Sequence, residues 1–268
     1  MRWGALAASG RTTDGVQSLE RAFQLLELMA EAGGEVALSR LARDSGMPLS
    51  SIHRLVRTLV TRGYVRQLPS RRYVLGPRLI HLGEIASRAL GTWARPHLAR
   101  LVDTIGETAN LAMLDGDRVV YAAQVPSRHS MRMFTEVGRR VHLHCTGVGK
   151  VLLAGLPEDD VRAVLARAGM PAQTPRTLTD LDVLLAEVRQ VAARGYAIDD
   201  GEQELGVRCV AVPVPGGAPA AAISVSGPEG RLSLDGVPRV ASLLQSAAAA
   251  LAAELTAGRD RAAPVPLG

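Results

Sequence analysis

Cysteine is nearly absent from this 268-residue chain. Cys145 and Cys209 stand alone, too few for a disulfide framework and in keeping with a reducing cytosol. Aromatic residues are also scarce, with two Phe, two Trp and four Tyr, so a pocket lined by aromatic rings is not expected. No run approaches the roughly 18 consecutive apolar residues of a membrane span, and Met1 to Ser9 is too short and too weakly apolar for a secretory signal. These absences point to a soluble, cytoplasmic protein. Nucleotide-binding glycine patterns are missing too: the stretch from Thr146 to Lys150 has the spacing of neither a Walker motif nor a dinucleotide fingerprint, and no cofactor is expected.

Acidic residues are lacking in one place in particular. Between Val36 and Gly76 eight arginines face Asp44 alone, and the whole formal net charge of +5 lies in residues 1–76, the remainder being balanced. Such a footprint suits a segment that meets a polyphosphate. With 47% apolar residues the chain has core enough for two domains.

The spacing of Leu19, Ala22, Phe23, Leu26 and Met29 or Ala30 predicts a first helix that starts near Val16 and stops at Gly33-Gly34. A second helix turns Leu38, Leu41 and Ala42 inward and ends at Gly46. A third begins at Pro48, with Ile52, Leu55, Val56 and Leu59 as its inward stripe. Alternation then replaces the helical period, and Tyr64 to Leu68, a turn at 69–72 and Tyr73 to Leu75 predict a hairpin. Three helices and a hairpin, with the second and third helices joined through Gly46, describe a winged helix-turn-helix. Placing Ile52 inward leaves Ser50, Arg54, Arg57 and Thr61 on the opposite face, with Ser51 beside them, free to enter a major groove. Serine and arginine suit contacts with bases and phosphates, and Arg66, Arg71 and Arg72 would set the hairpin on the DNA backbone or in a minor groove.

A helical stretch from Pro77 reads as a linker. Beyond it the pattern predicts a helix near His97 to Ile105 and strands at 109–114, 118–124, 132–135 and 139–145. Helices near 147–156, 158–168 and 181–194, strands near 197–199, 208–214 and 220–226, and a closing helix at 234–255 complete it. The fold class is therefore α+β, an antiparallel sheet with helices against it. Expected boundaries are a flexible arm at 1–13, a winged helix-turn-helix domain at 14–76, a linker helix at 77–92, an effector-binding domain at 93–256 and a flexible tail at 257–268.

The run LSRLARDSGMPLSSIHRLVRTLVTRGYVRQLPSRRYVLGPRLIHLG resembles the DNA-binding module of IclR-family transcriptional regulators. RRVHLHCTGVGKVLLAGLPEDD and RGYAIDDGEQELGVRCVAVPV resemble that family's two most recognisable C-terminal stretches. The resemblance covers about Val16 to Leu255 and implies a winged helix-turn-helix, a linker helix and a GAF-like effector domain, assembled as homodimers or homotetramers. One departure is visible: the family often opens its second helix with a capping box, where this chain has Ala37 and Arg40. That loss costs about 1 kcal/mol, and Arg40 adds a phosphate-binding charge.

The resemblance also implies effector contacts at Gly147, Asp199, Cys209 and Ser224. Ser226 shares a strand face with Ser224 and is a further candidate. A strand leading through Gly147 into a helix offers free amides to an anion, and donors around an acidic side chain suit a small carboxylic acid that also carries a hydroxyl or carbonyl. His142, His144 and Cys145 carry ligating atoms, but a strand turns Cys145 away from the two histidines, and no metal site is expected. The resulting expectation is an effector-controlled DNA-binding regulator, repressor or activator, bound to an operator and to no membrane. The rival reading is an enzyme with Cys209 or Cys145 as nucleophile and His144 as base, although neither cysteine sits in a recognised nucleophile motif.

Overall fold

The computed structural model describes residues 16–91, 93–133, 136–216 and 220–261, with 87–91 and 256–261 described by backbone alone. The arm expected at 1–13 lies outside them. The chain divides into two compact units, with the division between Arg88 and Ala89.

In the first unit α1 (Gln17–Glu31), α2 (Leu38–Ser45) and α3 (Leu49–Thr61) precede a hairpin of β1 (Val65–Gln67) and β2 (Tyr73–Leu75). Leu25, Met29, Leu41, Ile52, Val56, Leu59 and Val65 form its core, each buried aliphatic side chain contributing about 1.5–3 kcal/mol. Gly46 ends α2 in the left-handed conformation (φ 67°), the geometry that lets glycine stop a helix without strain. Gly76 packs so closely that a Cβ would lie 2.2 Å from the Gly63 carbonyl oxygen. The inward face of α1 differs from expectation. Met29 of the expected stripe is buried together with Leu25, and Leu26 packs against that core, whereas Leu19 and Phe23 are each 55% exposed, so only the C-terminal part of the stripe read from the spacing enters this unit's own core. A further helix, α4 (Arg78–Gly91), follows the hairpin.

The second unit is built on a six-stranded antiparallel sheet in the order β5-β4-β3-β8-β7-β6. Its strands are β3 (Thr108–Asp115), β4 (Arg118–Val125), β5 (Arg140–Val141), β6 (Ala197–Asp200), β7 (Val207–Pro213) and β8 (Ala221–Pro228). One face packs on α5 (Arg95–Ile105) and α9 (Val237–Arg261) through Leu98, Leu111, Val210, Ile223, Leu244 and their neighbours. The other packs on α6 (Gly147–Ala154), α7 (Glu158–Ala168) and α8 (Leu181–Arg194) through Tyr121, Leu143, Val148, Leu153, Leu165 and Leu184. This is the α+β architecture expected.

Three segments depart from the sequence reading. The strand expected at 139–145 is paired only at Arg140–Val141, because the chain turns through His142–Thr146 to start α6. No strand forms at Arg132 or Met133, and the rest of the strand expected at 132–135 lies outside the described residues. Helix α9 continues to Arg261, past the start of the expected tail at 257, since the Ala-rich stretch before it favours helix; residues 262–268 lie outside the described residues.

Candidate functional site

Helix α3 buries Ile52, Val56 and Leu59, and this fixes what its other face presents. Ser50, Arg54, Arg57 and Thr61 are exposed together, with Ser51 half-buried at their edge. Thr61 donates its hydroxyl to the Arg57 carbonyl at 3.0 Å, leaving its oxygen as an acceptor on that face. His53, not singled out from the sequence, is also exposed and borders the same face. Arg40 is paired with Asp44 one helical turn on, at 3.3 Å.

In the hairpin Arg66, Arg71 and Arg72 are exposed. Arg71 adopts φ 61° at the tip. Arg72 is tied down, donating to the Glu35 carbonyl at 2.7 Å with Glu35 Oε2 3.8 Å from its Nε. It braces the hairpin against the segment before α2, and only part of its charge is free for DNA.

In the second unit the sheet register brings the expected effector residues together. Asp199 pairs with Cys209 and Cys209 with Ser226, so the three lie in one row across β6, β7 and β8. Ser224 shares the strand face of Ser226, one pleat along. Gly147, first residue of α6, closes over this row. A Cβ there would lie 3.2 Å from Cys209 Sγ and 3.3 Å from Ala211 Cβ.

The turn from β5 is held by Thr146, whose hydroxyl donates to the His142 carbonyl and accepts from the Gly149 amide. Gly149 is required by the close packing here, since a Cβ would lie 2.2 Å from the Leu143 carbonyl oxygen. The Gly147 and Val148 amides, ahead of the first helical hydrogen bond, have no carbonyl within the helix to meet. They mark the end at which the helix attracts an anion.

Asp199 is 4% exposed and accepts from the Glu202 amide at 2.8 Å and the Gln203 amide at 3.3 Å. Burial raises its carboxyl to about 7, helped by the neighbouring Glu202 and opposed by those amides and by Lys150. Lys150, on α6, is itself buried and donates to Glu202 Oε1 at 2.6 Å. Burial pushes the Cys145 thiol up to about 12 and the Cys209 thiol up to about 11. Neither is a thiolate near neutral pH, and thiolate is the nucleophilic form.

Cys145 bonds Gln203. His144 is directed to the Pro171 carbonyl at 3.1 Å, and burial lowers its pKa below the usual imidazole range; burial, with Arg118 beside it, lowers that of His142 to about 4. The pairing of cysteine and histidine that the enzyme reading requires is not formed among these side chains. No cluster that could hold a metal occurs among the described residues.

Two groups sequence reasoning passed over stand in this site. The buried pair Lys150–Glu202 joins residues too far apart in the chain to be matched by eye. Asn110 pairs with Ser224 across β3 and β8; the polar alternation of Thr108 and Asn110 within an apolar strand was its visible trace. Two open clefts lie elsewhere, of about 440 Å³ beside Val102 and Arg128 and about 190 Å³ beside Glu107 and Arg239, and neither is lined by the candidate residues.

A winged helix-turn-helix with an arginine-rich outer face, followed by a sheet unit with a polar row under a helix N-terminus, defines a DNA-binding transcription regulator with a C-terminal effector-binding unit. Residues 18–69 match the IclR helix-turn-helix domain and residues 83–253 the bacterial transcriptional regulator IclR C-terminal domain. The chain is 38% identical to the transcriptional repressor IclR of Escherichia coli K12 over 90% of each chain. An IclR transcriptional regulator structure from Alicyclobacillus acidocaldarius superposes with a TM-score of 0.77 at 30% identity, covering 89% of this chain and 98% of that one. An IclR homolog from Microbacterium hydrocarbonoxydans, complexed with 4-hydroxybenzoate, gives 0.73 at 25% identity over 90% and 99%. The chain belongs to the IclR family. Its relatives are transcription regulators, not enzymes.

Proposed function

We propose that this regulator senses a small carboxylic acid held between the N-terminus of α6 and the row of β6, β7 and β8. The observation that carries the reading is the convergence of Gly147, Asp199, Cys209, Ser224 and Ser226 at one helix end. Free amides and hydroxyls there supply donors, and Asp199, protonated on one oxygen below about pH 7, would donate to a carboxylate instead of repelling it. The close approach of Gly147 to Cys209 favours a small ligand. That a homologue is complexed with 4-hydroxybenzoate supports an acid as the ligand class.

On the DNA side, Ser50, Ser51, Arg54, Arg57 and Thr61 would meet the major groove, and Arg40, Arg66, Arg71 and Arg72 the backbone or minor groove. Leu19, Phe23, Ile80 and Ile85 are each at least half exposed. Such apolar side chains support assembly into homodimers or homotetramers, and a paired helix-turn-helix matches two half-sites. The acid would act by favouring one spacing of the paired recognition helices, by no more than its differential affinity for the two arrangements. The repressor name of a relative favours repression. No described helix is long and apolar enough to cross a membrane, and a DNA-bound regulator belongs in the cytoplasm. The domain boundaries proposed are 14–76, 77–92 and 93–256.

Fluorescence anisotropy on DNA from upstream of the protein's own gene and its neighbours, with excess competitor DNA and a panel of carboxylic acids that includes 4-hydroxybenzoate, tests this. One fragment bound tightly and shifted by one acid is the expected result. Equal binding to all fragments, or no response to any acid, would overturn it.

A further inference from the structure

Asn110 is the only asparagine in the chain and is fully buried. Its Oδ1 accepts from Gln124 Nε2 at 3.2 Å. The amide nitrogen, with two hydrogens to donate, has no hydrogen-bond partner among the described residues, whereas the buried Ser224 hydroxyl has the Cys209 thiol beside it. A donor buried unpaired is costly, so the Asn110 amide marks a place where something else completes the bonding.

The sheet register says where that place is. Gln124 lies opposite Asn110, Asn110 opposite Ser224 and Ser224 opposite Ala211. Ala211 is one of the atoms a Cβ on Gly147 would touch. The unpaired amide therefore stands on the sheet face that α6 covers, two strands from the helix end. Directly opposed side chains are about 5 Å apart, and two strand spacings come to about 10 Å, much of which the Asn110 side chain and the α6 amides span from either side.

We propose that Asn110 is the specificity-determining residue of the effector site: braced by Gln124, it donates to a second oxygen of the ligand while the ligand's carboxylate lies at the N-terminus of α6. This rests on the carboxylic acid reading above and narrows it. The effector is a carboxylic acid with a carbonyl or hydroxyl oxygen at its far end, separated from the carboxylate by a short chain. The Ser224 hydroxyl, between the two ends, bonds either oxygen. An acid without the distal oxygen leaves the Asn110 amide unpaired, and a site with a buried unpaired group rejects such an analogue.

The test uses the full chain and acids of equal charge: 4-oxopentanoate against pentanoate, and 4-hydroxybutanoate against butanoate. Calorimetric titration gives the affinities. Selective ¹⁵N-asparagine labelling leaves one side-chain NH₂ pair to follow by NMR. The oxygen-bearing acid of at least one pair is expected to bind about tenfold more tightly than its partner, the worth of one such hydrogen bond, and to move the NH₂ signals where its partner leaves them. Asn110→Ala should bring the ratio to about one. Binding of both members without preference, or a preference with the NH₂ signals unmoved, overturns the role of Asn110 and leaves the carboxylic acid reading standing. No binding by any of these acids or by the panel above overturns both. Should Asn110→Ala fail to fold, the NH₂ signals of the unaltered protein decide.

Discussion

Lys150 Nζ lies 2.6 Å from Glu202 Oε1 with both side chains buried, an ion pair linking α6 to the loop after Asp199. Glu187 on α8 adds a second carboxylate 3.8 Å away. Removing one partner of a buried pair leaves the other uncompensated and costs about 3–5 kcal/mol. Glu202→Gln should therefore lower stability by that order. Lys150→Met should cost less, because burial already raises the Glu202 carboxyl and it can take up a proton once the ammonium is gone. Scanning calorimetry of the full chain, comparing both variants with the parent, gives the order.

Arg54→Ala and Arg57→Ala should each weaken operator binding about 10- to 100-fold without moving the melting temperature, since both side chains are exposed. A residue that contacts phosphate should weaken all fragments alike and lower the salt slope by about one; a residue that reads a base should weaken one fragment selectively. Arg72→Ala should differ by also lowering stability, through loss of its bond to the Glu35 carbonyl. Anisotropy at several salt concentrations, beside thermal melts, separates the three.

The acid's affinity should depend on pH through Asp199. Its carboxyl is raised from 3.8 to about 7, and the titratable groups around it are Lys150, Glu202, Tyr121, Cys145 and Cys209. Above about pH 7 binding an anion requires a proton to be taken up; below it the proton is already there. Affinity for the carboxylate should rise as pH falls through about 7, by up to tenfold per unit above that point, and Asp199→Asn should flatten the profile. The ligand-free fold should show the matching trend. From about 4 to 7 the unfolded chain has lost this proton while the folded one keeps it, so stability declines as pH rises across that window. Titrations and melts at several pH values check both.

Two glycines of α6 should respond differently to alanine. Gly149→Ala places a Cβ 2.2 Å from a backbone oxygen that cannot swing aside, and should cost at least about 1–3 kcal/mol. Gly147→Ala meets Cys209 Sγ at 3.2 Å, a contact that a small shift relieves. Its stability should change by less than about 1 kcal/mol while acid binding falls, because the methyl group occupies the ligand's approach to the amides. Melting temperature and calorimetric affinity, measured on each, distinguish the two effects.

The helix-turn-helix was readable because its signals are local: the stripe of Ile52, Val56 and Leu59, the turn at Gly46, the alternation after Gly63. Helix α1 shows where periodicity stops being enough. Nothing in its spacing says that Leu25 and Met29 enter this unit's core while Leu19 and Phe23 stay outside it. The effector row was named residue by residue from a family resemblance, yet its geometry depends on strand register, which pairs Asp199 with Cys209 and Asn110 with Ser224 across long stretches of chain. Strand β5 is shorter than its composition suggests, because His142 to Thr146 keeps a strand-like pattern while the Thr146 cap and the packing of Gly149 turn it into the start of α6.

Lys150 is the only lysine among 31 basic side chains, and it is 1% exposed. Apart from the six histidines, every other basic side chain is therefore a guanidinium, a group that keeps its charge throughout the pH range in which proteins fold and that acylating reagents aimed at amines leave alone. The field this protein presents to DNA is in that sense a constant. Acetylation cannot dim it, moderate alkali cannot discharge it, and any adjustment of its grip on an operator has to come through geometry, by changing where the arginines stand.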